Sequence, residues 1–209
     1  MKNLFTNLVL FIALSVAFSG LTACTKTANT QKGPVIEAGN VTVSTNSNSS
    51  PAPNADTAAG NYPPAPEAIL QTENKDLDGK VFKIEDYKGK VVLINLWATW
   101  CGPCRAEMPE LIAMQDKYRD QGFEVLGLNV DDESVEDINA FAKQMKLNYQ
   151  LGYADQKLVS AFIKLTKLQG IPQTIVINRE GKMTGIFSGG GQRVIGQMKE
   201  AVDKTMSKS

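Results

Sequence analysis

One segment constrains the fold more than any other. An almost continuously apolar run, Val91–Trp97, is followed two residues later by Trp100-Cys101-Gly102-Pro103-Cys104. A run of this kind is typical of a central strand that is covered on both faces of a sheet. Gly102-Pro103 suits the first turn of a helix, because proline loses no needed hydrogen bond there. The sequence therefore predicts a buried strand that leads into a helix near Cys101, with two thiols about one helical turn apart.

Two cysteines at this spacing can form a reversible disulfide, a structural disulfide or half of a zinc site. Zinc would normally require two more Cys or His ligands, and the chain has no histidine and only one other cysteine, Cys24. Unpaired amides and the dipole at a helix N-terminus favour a thiolate at Cys101. Reversible thiol–disulfide exchange is therefore the favoured hypothesis, and it requires no cofactor and no metal ion.

Strands and helices alternate through the middle of the chain, which then ends in a hairpin and a helix. Predicted strands lie at 81–84, 91–97, 123–130, 174–178 and 183–187. Predicted helices lie from about Cys101 to Tyr118, with a bend at Pro109, and at 133–147, 157–167 and 194–206. This order predicts an α/β fold, with a central mixed sheet flanked by helices and a short β extension at its N-terminal end.

Residues 1–23 have the pattern of an export signal. The single basic residue Lys2 precedes an apolar stretch at 8–18, which is short for a membrane span of about 20 residues. Leu21-Thr22-Ala23-Cys24 resembles a bacterial lipobox, in which Cys24 is lipidated and becomes the mature N-terminus. The alternative is an uncleaved signal anchor. Both interpretations tether the protein to the lipid bilayer of a bacterial membrane, outside the cytoplasm on the periplasmic side.

Residues 24–66 are rich in Thr, Asn, Ser, Ala, Gly and Pro. Such a segment buries too little apolar surface to offset its ordering entropy, so we predict a flexible tether. Residues 67–209 then form the folded domain, which we expect to be monomeric. The chain carries 22 basic and 22 acidic side chains, and this balance gives no reason to expect nucleic acid as a partner.

Residues 89–111 contain Trp97-Ala-Thr-Trp100-Cys-Gly-Pro-Cys104 and Glu107-Met-Pro109. This segment resembles the TlpA/ResA-like group of membrane-tethered thioredoxins, and the resemblance extends over about residues 66–205. It implies a thioredoxin fold and thiol-disulfide oxidoreductase activity. It also implies that Cys101 is the exposed nucleophile, that Cys104 is the resolving thiol, and that the two form the redox disulfide.

Gly170-Ile171-Pro172-Gln173-Thr174 matches the cis-proline loop of the same family. The resemblance implies that this loop faces the cysteines, and that a cis Ile171–Pro172 bond directs the Ile171 backbone at an extended substrate. The alternative is an ordinary turn proline before a strand. Trp100 is expected to pack beside the site and to form part of a docking patch for the substrate.

The chain differs from ordinary thioredoxins at two aligned positions. Their buried Asp aligns with Asn95 and its Lys partner with Gly127, so both charges are lost together. Glu107 occupies the position of a functional glutamate in ResA-like proteins, and we predict that it relays protons between Cys104 and water. The alternative is a solvated glutamate in an early helical turn. A further acidic run, 131–133, is predicted to cap the next helix rather than to bind a metal.

Gly-Pro between the cysteines is the dipeptide of thioredoxin, which is a reductant. We therefore expect a reductase of extracytoplasmic protein disulfides, such as the apocytochrome c cysteines before haem attachment. Such a reductase needs electrons from a membrane thiol reductant of the DsbD or CcdA type. Two alternatives remain open at this point: a disulfide-donating oxidase, and a Cu(I)-handling module that uses Cys101 and Cys104, with or without Met108.

Overall fold

The computed structural model describes residues 62–208. The predicted signal peptide, the predicted lipidation site Cys24 and the tether as far as residue 61 lie outside the described residues. Within residues 62–208, no helix combines the length and the apolar character that crossing a membrane requires.

Among the described residues, seven strands form one mixed sheet in the spatial order β2-β1-β5-β4-β3-β6-β7. The strands are β1 (Asn74–Asp76), β2 (Val81–Phe82), β3 (Val91–Trp97), β4 (Phe123–Asn129), β5 (Gln150–Tyr153), β6 (Gln173–Ile177) and β7 (Met183–Ser188). The neighbours β3, β4 and β5 run parallel, and the remaining pairs are antiparallel. This arrangement confirms the predicted mixed sheet, with β1 and β2 as its N-terminal β extension.

In the described part of the chain, five α-helices cover the two faces of the sheet: α1 (Glu67–Leu70), α2 (Gly102–Tyr118), α3 (Val135–Met145), α4 (Gln156–Thr166) and α5 (Gln192–Lys208). Side chains alternate between faces along a strand, and β3 is buried on both of them. Val92, Ile94 and Leu96 face a core that includes residues of α1 and α4. Val91 and Leu93 face the opposite core, built with α2 and α5. The predicted layers of helix, sheet and helix are confirmed.

Most predicted elements match within one or two residues, and β3 matches at both ends. The helix α2 continues past Pro109 as far as Tyr118. Other elements differ from the prediction, and Glu67–Leu70 and Asn74–Asp76 were not predicted at all. The strand predicted at 81–84 is shorter, because a 3-10 helix takes over at Ile84–Tyr87. The segment Gln150–Tyr153 was not predicted as a strand, although it pairs in parallel with β4.

The chain joins the domain slightly before the predicted boundary at residue 67. Pro64 forms an isolated antiparallel bridge with Lys182. The Met183 amide donates to Pro63 O, and the Ala65 amide donates to Gly181 O, each at 2.9 Å. Residues 63–65 therefore pair along the turn of the β6–β7 hairpin, a contact that the polar and Pro-rich composition of this segment does not reveal.

Candidate active site

Cys101 occupies the N-cap of α2, immediately before the helix begins at Gly102. Its sulfur accepts a hydrogen bond from the Cys104 amide at 3.2 Å. Cys101 and Cys104 form a disulfide with their Cα atoms 5.3 Å apart. An amide that points at the sulfur from the first turn of a helix also stabilises a thiolate there once the disulfide is reduced.

Both cysteines are buried in this disulfide form, with exposed fractions of 2% for Cys101 and 0% for Cys104. The expectation that Cys101 is exposed is therefore wrong for this state. The reason is local: Cys101 packs in a cluster with Cys104, Trp97 and Met108, which covers the disulfide. The neighbouring Gly102 and Pro103 are exposed. The surface of the site therefore consists of residues next to the disulfide, and the sulfur atoms lie beneath it.

The predicted cis-proline loop lies beside the cysteines. The Ile171–Pro172 peptide bond is cis, which excludes the alternative of an ordinary trans turn proline. Ile171 packs against the cluster that contains Cys101 and Cys104. Pro172 O accepts a hydrogen bond from the Gly189 amide at 2.9 Å. Within residues 62–208, no hydrogen bond joins the backbone of Ile171 to another residue, so its amide and carbonyl can bind a docked chain.

Trp100 is the most exposed large apolar side chain at the site, with 65% of its surface accessible. Its indole Nε1 donates a hydrogen bond to Asp131, which fixes the ring in an outward position. An exposed aromatic side chain next to the N-cap cysteine suits contact with a protein substrate.

The acidic run 131–133 does not cap the helix that follows it, so that prediction is wrong. Ser134 is the N-cap of α3 and accepts a hydrogen bond from the Asp137 amide. Glu133 instead accepts hydrogen bonds from Thr99 Oγ1 at 2.7 Å and from Asn129 Nδ2 at 2.8 Å. Thr99 follows the end of β3, and Asn129 is the last residue of β4. Because the two strands are parallel neighbours, their carboxyl ends lie side by side. These adjacent carboxyl ends are the sequence signal that could have linked Glu133 to the cysteine loop.

Glu107 is buried behind the cysteine pair, with an exposed fraction of 2%. It lies one turn beyond Cys104 on α2. The Asn95 amide Nδ2 donates to Glu107 Oε1 at 2.6 Å and to Thr174 Oγ1 at 3.0 Å. Burial raises the pKa of Glu107 to about 7, and the hydrogen bond from Asn95 opposes part of that increase. The alternative of a solvated surface glutamate is excluded.

The AhpC/TSA family model matches residues 63–186 of the chain, which is more than half of its length. The chain belongs to the AhpC/TSA family. It is 31% identical over 140 residues to the thiol-disulfide oxidoreductase ResA of Bacillus cereus, covering 64% of this chain and 71% of that relative. It is 32% identical over 125 residues to the ResA of Geobacillus thermodenitrificans, covering 60% of this chain and 67% of that relative.

The fold is similar to the crystal structure of a thioredoxin-family thiol:disulfide interchange protein from Chlorobium tepidum. The TM-score is 0.58 at 28% sequence identity, and the match covers 69% of this chain and 97% of the other. These relationships identify a TlpA/ResA-like thioredoxin-family protein and a thiol-disulfide oxidoreductase.

Behind the cysteines, this AhpC/TSA family member has different side chains from those of cytosolic thioredoxins. Asn95 and Gly127 are direct neighbours across β3 and β4. A Cβ atom at position 127 would lie 2.9 Å from Tyr149 Cε2 and 3.0 Å from Leu151 Cδ2, so a lysine there would require these side chains to shift. Burial raises the pKa of Tyr149, and the nearby charge of Glu107 raises it further. The aligned Asp–Lys pair is thus replaced by a neutral amide, a buried acid and a phenol.

Met108, the third residue of the Cu(I) hypothesis, is fully buried in the same cluster as the two cysteines. It follows Cys104 by one helical turn on α2, which places it against the cysteine pair as an apolar packing residue. Its position in this family member is explained by packing, and Cu(I) binding stays a prediction.

Proposed function

We propose that the protein is a membrane-tethered, extracytoplasmic reductase of protein disulfides, anchored through a lipidated Cys24. The observation that carries the redox part of this proposal is the Cys101–Cys104 disulfide at the N-terminus of α2, beside the Ile171–Pro172 loop. The tether and its location are supported by the signal-like segment 1–23 and by Leu21-Thr22-Ala23-Cys24.

The first chemical step uses the reduced pair. The Cys101 thiolate, stabilised by the Cys104 amide and by the N-terminus of α2, attacks one sulfur of the client disulfide. A bond forms between Cys101 Sγ and that sulfur, and the other client cysteine leaves as a thiolate. The product is a mixed disulfide between Cys101 and the client.

The second step releases the client. The Cys104 thiolate attacks Cys101 Sγ, the mixed disulfide breaks, and the second client cysteine leaves as a thiolate. The pair has then lost two electrons to the client and is again the Cys101–Cys104 disulfide. Cys104 must give up its proton before it attacks, and the buried carboxylate of Glu107 is the proposed acceptor. Its pKa of about 7 suits proton transfer at neutral pH.

Client binding follows from the exposed elements around the disulfide. An extended client segment pairs with the free amide and carbonyl of Ile171, in the manner of an added strand. The exposed ring of Trp100, next to Cys101 in the chain, also contacts the client. Pro172 lies buried behind Ile171 and holds the end of the loop against Gly189.

Electrons must reach the pair from outside the protein, since each cycle leaves it oxidised. A membrane dithiol of the DsbD or CcdA type is the proposed donor, and apocytochrome c cysteines before haem attachment are the proposed clients. The direction towards reduction is supported by Gly102-Pro103, the dipeptide of the reductant thioredoxin.

The test is to express the full-length protein as the Cys104→Ala variant and to trap thiols with acid and an alkylating reagent. Without the resolving thiol, mixed disulfides should accumulate on Cys101 and identify the clients. Cys101→Ala is the matched control and should accumulate none. In the wild type, the pair should be mainly reduced in cells. A mainly oxidised pair would contradict the reductase and favour the oxidase. The wild type should incorporate labelled fatty acid, and a Cys24→Ala variant should not.

A further inference from the structure

Gln173 immediately follows Pro172 as the first residue of β6, and its side chain turns away from the sheet towards the preceding loop. It is buried, with an exposed fraction of 2%. Its Nε2 donates to Gly170 O at 2.6 Å and to Leu168 O at 3.1 Å, and its Oε1 accepts from Thr166 Oγ1 at 2.7 Å. The whole amide group is therefore used to connect β6 to residues 166–170.

Few other polar contacts hold this loop in place. The chain leaves α4 at Lys167, which has a left-handed φ of 58°. Among residues 62–208, hydrogen bonds to the backbone of residues 168–171 come only from Gln173 and from Thr166, whose hydroxyl accepts the Leu168 amide at 3.2 Å. Gly170 is exposed, and the amide of Gln173 supplies the hydrogen bonds to the carbonyl groups of Leu168 and Gly170, on the N-terminal side of Ile171.

We propose that Gln173 is a positioning residue for thiol–disulfide exchange with protein substrates. It clamps residues 168–170 so that the backbone of Ile171 is held ready to pair with a client segment beside Cys101–Cys104. Gln173 acts through Ile171 and touches neither sulfur nor client. This inference rests on the proposed function, in which the client docks along Ile171.

A purely structural role makes a different prediction from a positioning role. If Gln173 only satisfies the loop carbonyl groups, its loss should lower the stability of the protein and change the reaction rates with all disulfide substrates by the same factor. A clamp on the docking backbone affects substrates that use this backbone and spares those that do not. The substitution Gln173→Met keeps the length and volume of the side chain and removes all three hydrogen bonds.

The chain supplies a matched control in Gln115, a second glutamine with an exposed fraction of 2%. Its Oε1 accepts the Val125 amide at 2.7 Å, between α2 and β4 and outside the cis-proline loop. Gln115→Met therefore also removes a buried glutamine hydrogen bond, but it leaves residues 166–171 unchanged. Thr166→Val is a second, milder variant, which loosens the same loop from the α4 side.

The experiment mixes the pre-reduced full-length protein rapidly with either a cystine-bridged peptide or hydroxyethyl disulfide, which has no peptide backbone. For Gln173→Met, the peptide concentration at half-maximal rate should rise roughly tenfold. The reason is that the two hydrogen bonds from Gln173 to the carbonyl groups of Leu168 and Gly170, which order the loop, are lost. The rate with hydroxyethyl disulfide and the equilibrium with glutathione should stay within about twofold of wild type. Thr166→Val should show the same pattern, with a smaller change.

Gln115→Met should react with both disulfides as the wild type does. The inference is overturned if Gln173→Met and Thr166→Val slow both disulfides by the same factor, or change neither of them. A wild-type protein that fails to reduce the peptide overturns the proposed function itself, and this result differs from an active wild type with unaffected variants.

Discussion

The two faces of β3 differ in the polarity of the side chains that they bury. On the face towards α1 and α4, the side chains of Val92, Ile94 and Leu96 enter a core of apolar residues. On the face towards α2, Val91 and Leu93 also enter an apolar core. Nearer the cysteine pair, however, this face places Asn95 against the buried carboxyl group of Glu107. One strand therefore supports an apolar core on one side and a polar inclusion directly behind the cysteine pair on the other.

The difference shows where the protein accepts a cost in folding free energy. Burying a polar group without a partner is unfavourable, and among residues 62–208 the buried atoms Asn95 Oδ1 and Trp97 Nε1 have no hydrogen-bond partner. Glu107 adds an acid that is harder to ionise because it is buried. Burial of apolar side chains on the first face offsets the unfavourable burial of polar groups on the second, where a proton-binding group lies next to Cys104.

The largest effect should come from breaking the apolar face. Phe162 on α4 is fully buried in that core. Phe162→Ala should lower the free energy of unfolding by about 3–5 kcal/mol, through lost burial and the cavity left behind. Denaturant unfolding of the oxidised protein measures this loss. Val81→Ala, at a position that is 48% exposed, is the control, and its change should stay within about 0.5 kcal/mol. A loss of less than about 1 kcal/mol for Phe162→Ala would remove the contrast between the faces.

The second prediction distinguishes the polar face from the apolar face by the pH dependence of stability that Glu107 causes. The pKa of Glu107 is raised by burial from 4.5 to about 7 in the folded protein. The folded state therefore binds this proton more tightly than the unfolded state does. The contribution of Glu107 to stability is fully present below pH 4.5 and is lost as the pH rises through about 7. The decline should be on the order of 3 kcal/mol.

Glu107→Gln replaces the acid by a neutral amide of the same shape and should abolish this decline, so that the variant is more stable than wild type above neutral pH. Urea unfolding of the oxidised protein across the pH range measures the effect. Glu110→Gln is the control on the same helix, at a surface position where Glu110 pairs with Lys199. If wild type and Glu107→Gln decline alike, Glu107 does not carry the pH dependence.

Sequence patterns were sufficient wherever structure is set by nearby residues. The apolar run of β3 and the Gly102-Pro103 turn each have a local cause, and both elements begin where they were predicted. Two further features were expected from the family resemblance rather than from nearby residues, and the first is the pairing of Asn95 with Gly127 across the sheet. The second is the cis bond before Pro172, which follows the Gly170-Ile171-Pro172 motif.

The failures share a different cause. The cluster that buries Cys101 also contains Ile138 and is packed against by Ile171, both far from Cys101 in sequence. The role of Glu133 depends on Thr99, which lies 34 positions away. The strand Gln150–Tyr153 is recognised only through its pairing with β4. Contacts between distant segments decided each of these features, and no short window of sequence contains both partners.

The smallest effect tests how tightly the polar face is packed. A methyl group added by Gly127→Ala would lie within 3.0 Å of both Tyr149 and Leu151, so a ring or a side chain must shift. Overpacking of this kind costs about 1–3 kcal/mol. Gly196→Ala on α5 is the matched control, because its added methyl group meets nothing within 4 Å and should stabilise the helix by up to about 1 kcal/mol. Thermal unfolding of both variants gives the comparison. Equal stabilisation by both substitutions would mean that the polar face has room to spare, and that the aligned lysine was lost for reasons other than space.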